Sequence, residues 1–145
     1  MDDWLCSYTI EGHTSTVWQI DFDREGKFLC SCSEDKTWSI WQIVSPHHFV
    51  NKGIISKCHM RSIYAISWIE NEDDSLIATG AADNRICVFE IDKSDMENSE
   101  SFAYNVIAKQ NMAHSSDINC VQFCPSDHRL LASCADDGLI KLWRI

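Results

Sequence analysis

Three histidines precede a hydroxyl residue and an aspartate in a recurring pattern: His13, Ser31 and Asp35; His59, Thr79 and Asp83; His114, Ser133 and Asp137. A hydroxyl, an imidazole and a carboxylate are the parts of a nucleophilic hydrolase, in which the ring takes the hydroxyl proton and the carboxylate orients the ring. An enzyme needs that set once, at one accessible place. Here it comes three times, each with an aromatic ten residues beyond the hydroxyl: Trp41, Phe89 and Trp143. The recurrence therefore predicts a structural network and assigns no catalytic residue. A turn carboxylate accepts from the imidazole, which is bonded in turn to the hydroxyl and the aromatic N–H, so that buried polar groups satisfy one another. Phe89 has no N–H to give, and the second network is expected to be one bond short.

Eight cysteines invite a second chemistry, since thiolates ligate zinc and iron–sulfur clusters. Their spacing argues against it. Cys30 and Cys32 lie on one face of a strand, Cys32 and Cys134 stand at equivalent places in their units, and Cys120 and Cys124 run into a Pro125 turn. None of these is a zinc-ribbon pair, and free cysteine packs well as a small buried hydrophobe. His47-His48 and Cys58-His59 lack a third ligand at fixed spacing. No metal and no cofactor is assigned.

The elements that position these residues repeat as well. Each histidine is followed by apolar residues at +4 and +7 and an aromatic at +9: Val17, Ile20, Phe22; Ile63, Ile66, Trp68; Ile118, Val121, Phe123. Short apolar runs such as 27–33, 75–79 and 129–134 have strand length, and no helical periodicity intervenes. The fold class is all-β, with units at about 4–43, 49–91 and 102–145. Four strands are expected per unit. The first is an outer strand ahead of the histidine, at 4–10, about 49–57 and about 102–111; the last unit has no later outer strand. Segments 70–75 and 92–101, rich in acidic and small polar residues, are expected as solvated, mobile loops, the second an acidic insertion.

Composition sets limits. The chain has 145 residues, with 12 Lys+Arg against 22 Asp+Glu and a net charge of −10. That leaves no broad basic surface for a phosphate backbone, so direct nucleic-acid binding is not expected. No apolar run is long enough for a membrane-spanning helix and the start lacks a basic leader, so an intracellular, soluble protein with reduced thiols is expected and no membrane partner.

Gly12-His13, with Cys58-His59 and Ala113-His114 as its counterparts, and the unit endings Trp41-Gln42, Phe89-Glu90 and Trp143-Arg144, resemble the WD-repeat family of β-propellers. No copy has the aspartate after the tryptophan; the repeat signature carries the resemblance. Strings such as Ser62-Ile63-Tyr64-Ala65-Ile66-Ser67-Trp68 and Leu131-Ala132-Ser133-Cys134-Ala135-Asp136-Asp137-Gly138 are similar to the last three blades of the branch serving cytosolic iron–sulfur protein assembly. What this resemblance implies is a non-catalytic adaptor, cytoplasmic and also nuclear. It would help pass clusters to cytosolic and nuclear apoproteins together with a small iron–sulfur assembly protein and a helical-repeat adaptor.

The resemblance also implies two rim positions per blade, five residues after the histidine and just before the turn aspartate. Here they are Trp18 and Glu34, Tyr64 and Ala82, Asn119 and Asp136. Exposed aromatics at such places make interface hot spots, whereas carboxylates there are more often solvated. Alternative functions stay open: a propeller scaffold or substrate receptor of a ubiquitin ligase or chromatin complex, and a metal- or cluster-dependent enzyme. Three units make only an arc, so the sequence predicts a partial propeller, the C-terminal part of a seven-bladed ring or a truncated product, with a self-completing oligomer as the alternative.

Overall fold

A computed structural model describes residues 3–145 as eleven strands in three antiparallel sheets. The first blade comprises β1 (Val17–Phe22), β2 (Phe28–Ser33), β3 (Trp38–Ser45) and β4 (His48–Ile55). The second comprises β5 (Ile63–Glu70), β6 (Ser75–Ala81), β7 (Ile86–Asp92) and β8 (Ala103–Gln110). The third has three strands, β9 (Ile118–Cys124), β10 (Asp127–Ala135) and β11 (Ile140–Arg144). The sheets are not closed into a ring, so the architecture is a partial propeller.

Strand alternation gives every blade a front and a back face. The +4, +7 and +9 residues form the front: Ile63, Ile66 and Trp68 are buried on the first blade, and Ile118, Val121 and Phe123 on the second. Trp38 and Ile40 on the first back face and Ile86 and Val88 on the second are buried in return. Trp38 meets Phe89 at a tilt, with ring centroids 4.7 Å apart, so it packs between blades. Gly80 lets the third blade approach: a Cβ there would fall 2.6 Å from the Ile118 methyl. Polar bonds sew the same boundaries. Gln19 Oε1 accepts the Ile66 amide at 3.0 Å, Asp21 Oδ2 the Trp68 amide at 2.8 Å, and Ser67 Oγ the Phe123 amide at 3.2 Å.

Three expectations are corrected. Trp4–Ile10 forms no strand; it lies over its own blade, with Tyr8 stacked on Phe49 at 4.9 Å and His47 Nδ1 3.1 Å from the Ser7 carbonyl. The acidic insertion is anchored, because Met96 is buried in the core, Lys52 Nζ donates to the Ser99 carbonyl and Lys27 pairs with Glu97. Glu70 belongs to β5 and is nearly buried; with the buried Asp23 it grips Lys93, whose Nζ is 2.8 Å from each carboxylate.

Candidate functional site

The three polar networks stand at one end of each sheet, where a tight turn joins the second and third strands. The turn aspartate holds two amides, that of the residue after the histidine and that of the residue two further along the turn. For Asp35 these are Thr14 at 3.1 Å and Thr37 at 2.9 Å; Asp83 takes Met60 and Arg85, and Asp137 takes Ser115 and Leu139. The residue after each aspartate is left-handed, with φ of 72° at Lys36, 63° at Asn84 and 77° at Gly138.

His13 Nδ1 lies 2.9 Å from Asp35 and its Nε2 2.7 Å from Ser31 Oγ, which accepts the Trp41 indole N–H at 2.9 Å. The third unit matches, with His114 at 2.9 Å from Asp137 and 2.7 Å from Ser133, and Trp143 donating to Ser133 at 2.8 Å. In the second, His59 reaches Asp83 at 3.1 Å and Thr79 at 2.8 Å, and Phe89 adds nothing. The hydroxyls of Ser31, Thr79 and Ser133 are buried. In the first and third units each is held by imidazole on one side and indole on the other. Burial pushes the carboxyls of Asp35, Asp83 and Asp137 up, but hydrogen bonds from turn amides and imidazole outweigh it and hold all three below the usual range.

The rim positions have their own local cause. Val17 lies opposite Ser33 and Gln19 opposite Cys32, leaving Trp18 as the extra residue of a β-bulge. The same break places Tyr64 between Ile63 and Ala65, and Asn119 between Ile118 and Cys120. A bulge re-aims its side chain, and here it does so at neighbouring blade ends. Trp18 is 49% exposed and meets Tyr64 edge-on, centroids 5.2 Å apart. Glu34 is exposed and accepts from Ser15 at 2.6 Å; Asp136 is exposed and accepts from Asn119. Ala82 is 2% exposed, so its side chain offers no surface, and its carbonyl is taken by Arg61 at 3.1 Å.

Sequence reasoning missed two arrangements. One is the clamp of Lys93 on Asp23 and Glu70, at the opposite end of the second sheet beside a groove of about 990 Å³; Asp23, 70 residues from Lys93, leaves no local signature. The other is a thiol pair. Cys58, in the position of Gly12 and Ala113, packs in one buried cluster with Cys87; the neighbouring thiol holds Cys58 below the usual thiol range, while Cys58 and burial push Cys87 up. Cys30, Cys32, Cys58 and Cys87 are buried; burial pushes Cys30 up and Cys32 to about 12. Among the described residues no three His, Cys, Asp or Glu side chains gather as metal ligands.

The family described as WD domain, G-beta repeat, matches residues 4–42, 52–90 and 107–144. Over 98% of its length the chain is 36% identical to a Culex quinquefasciatus protein named probable cytosolic iron-sulfur protein assembly protein Ciao1, covering 44% of that protein. A Chlamydomonas reinhardtii protein named as a probable CIAO1 homolog is 32% identical over 98% of the chain and 47% of its own length. Elongator complex protein 2 of Dictyostelium discoideum is 32% identical over 99% of the chain and 16% of its own length. The chain spans less than half the length of these relatives.

Proposed function

We infer, from the premise that this chain belongs to the WD-domain, G-beta repeat family, that it is a non-catalytic protein-binding scaffold of cytosolic iron–sulfur protein assembly. The names of its relatives support the pathway and a cytoplasmic place of work. The observation that carries the binding role is the Trp18–Tyr64 pair. Two aromatics from adjacent blades are raised by equivalent bulges and braced edge to face, on a frame whose polar groups are spent on holding its shape. Large, rigid aromatics in such a place give contact area at small entropic cost.

In this reading the partners are a small iron–sulfur assembly protein and a helical-repeat adaptor, and the clients are cytosolic and nuclear apoproteins. The cluster is cargo carried on partners, and this chain supplies contacts rather than ligands. A scaffold of another complex is the second reading, favoured by the similarity to Elongator complex protein 2. Affinity capture from cytosolic extract with identification of the retained proteins separates them. Iron–sulfur assembly components are expected; recovery of Elongator or ubiquitin-ligase subunits in their place would overturn the first reading.

A further inference from the structure

Two cysteines lie together at the boundary between the first and second blades, both sides of which this chain supplies. Cys58 is 7% exposed and Cys87 fully buried, in the apolar cluster that joins Trp38 and Ile40 to Ile66 and Phe89. The histidine network brings them together from both sides. Cys58 precedes His59, whose Nε2 lies 2.8 Å from the Thr79 hydroxyl, and Thr79 is the partner of Cys87 across β6 and β7. The third unit shows how far a side chain reaches in this arrangement. Ser133, held by His114, is the partner of Lys141 across β10 and β11, and Lys141 Nζ donates to the Ala113 carbonyl at 2.7 Å. A side chain in the position of Cys87 is thus aimed at the residue in the position of Cys58.

The surroundings favour an anion on Cys58. Arg85 donates from Nη1 to the Cys58 carbonyl at 2.8 Å, and its buried Nε has no acceptor among the described residues. Lys109 is the partner of Cys87 across β7 and β8. The thiolate is the nucleophilic form of cysteine, and neighbouring cations stabilise it. Cys58 is held below the usual thiol range by the adjoining thiol, with Lys109 and Arg85 acting in the same direction, whereas Cys58 and burial push Cys87 up. The two thiols therefore differ in role, one poised to attack and one kept protonated. They also stand where the polar network is one bond short, since Phe89 has no N–H to give to Thr79.

We propose that Cys58 and Cys87 are a peroxide-oxidised thiol pair, closing to a disulfide that pins the segment before His59 to β7. The Cys58 thiolate attacks hydrogen peroxide: an S–O bond forms, the O–O bond breaks, and the departing hydroxide takes up a proton as water. Cys58 is then a sulfenic acid, its sulfur oxidised and the peroxide reduced. Cys87 Sγ attacks that sulfur, the S–S bond forms as the S–O bond breaks, and the second hydroxide leaves as water with the Cys87 proton. Two thiols and one peroxide thus give one disulfide and two waters. A dithiol reverses the link by exchange.

The full chain, reduced and then freed of reductant, is treated with stoichiometric hydrogen peroxide while folded, and its thiols are titrated in denaturant. Loss of two of the eight thiols is expected, with full recovery on dithiothreitol and a Cys58–Cys87 linked peptide on non-reducing mass mapping. Cys87→Ser is expected to stop at the sulfenic acid, trapped on Cys58 by dimedone, and Cys58→Ser to keep all its remaining thiols at the same dose. Should a serine variant lose its folded spectrum, alanine replaces it, the residue that the third unit carries at 113. Cys120 and Cys134, partners across β9 and β10, are the internal comparison, since burial and the adjoining thiol push Cys120 up. An unchanged thiol titre, a first disulfide at Cys120–Cys134 or between chains, or a Cys58→Ser variant that oxidises as fast as the unsubstituted chain would each overturn the proposal.

Discussion

The Trp68 amide donates to Asp21 Oδ2 at 2.8 Å across the boundary between the first two blades. It joins strands 47 residues apart, and it turns two sheets that share an apolar face into one unit with a fixed register. Removing the carboxylate leaves the amide at an interface where water has little access. Asp21→Ala is expected to cost about 1–2 kcal/mol, read as a lower urea midpoint, with Asp21→Asn recovering part of the loss. An unchanged midpoint in Asp21→Ala would show that apolar packing alone fixes the boundary.

His114 has a fully buried ring bonded to Asp137 and Ser133. Replacing it by alanine strands a carboxylate and a hydroxyl together and opens a cavity. His114→Ala is expected to lose about 2–4 kcal/mol or fail to fold. A catalytic histidine would behave otherwise, losing activity with the fold intact. A cooperatively melting His114→Ala protein of unchanged stability would contradict the structural reading.

Acid should act through the three turn aspartates. Their carboxyls lie below the ordinary value of 3.8 in the folded chain. The stability they confer is therefore complete above that value and lost as pH falls through the lower folded values. Thermal midpoints are expected to be insensitive to these groups from neutrality down to about pH 5 and to drop below about pH 4. Asp83→Asn, already unable to ionise, should start lower and show a shallower acid loss; an identical acid profile would assign the loss elsewhere.

Lys36 adopts φ of 72° in a turn where the third blade uses Gly138. A side chain in the left-handed region carries a steric cost that glycine avoids. Lys36→Gly is expected to stabilise the chain by about 0.5–1 kcal/mol, whereas Gly138→Ala should destabilise it by a similar amount. Differential scanning calorimetry of the two variants gives the comparison.

The sheets and the polar networks were legible because they repeat: a histidine, a hydroxyl, an aspartate and an aromatic at fixed offsets place four elements at once. The bulges under Trp18 and Tyr64 were not, since an extra residue in a strand leaves the alternation of its neighbours nearly intact. Trp4–Ile10 reads as a strand by its apolar content, but a strand needs a partner edge, and among the described residues none lies beside this segment. Ala82 stands at a rim position by counting from the histidine, and only packing reveals that its side chain is covered. The grip of Lys93 on Asp23 and Glu70 joins residues that no local pattern relates.

The scaffold account is tested most directly at the aromatic pair. Trp18→Ala/Tyr64→Ala and the unsubstituted chain, matched for melting temperature, are each used to capture proteins from cytosolic extract, and the retained iron–sulfur assembly components are quantified. The account predicts a loss of tenfold or more for the double variant, the scale of one hot spot of about 1.4 kcal/mol or greater. Equal recovery by both proteins would contradict it.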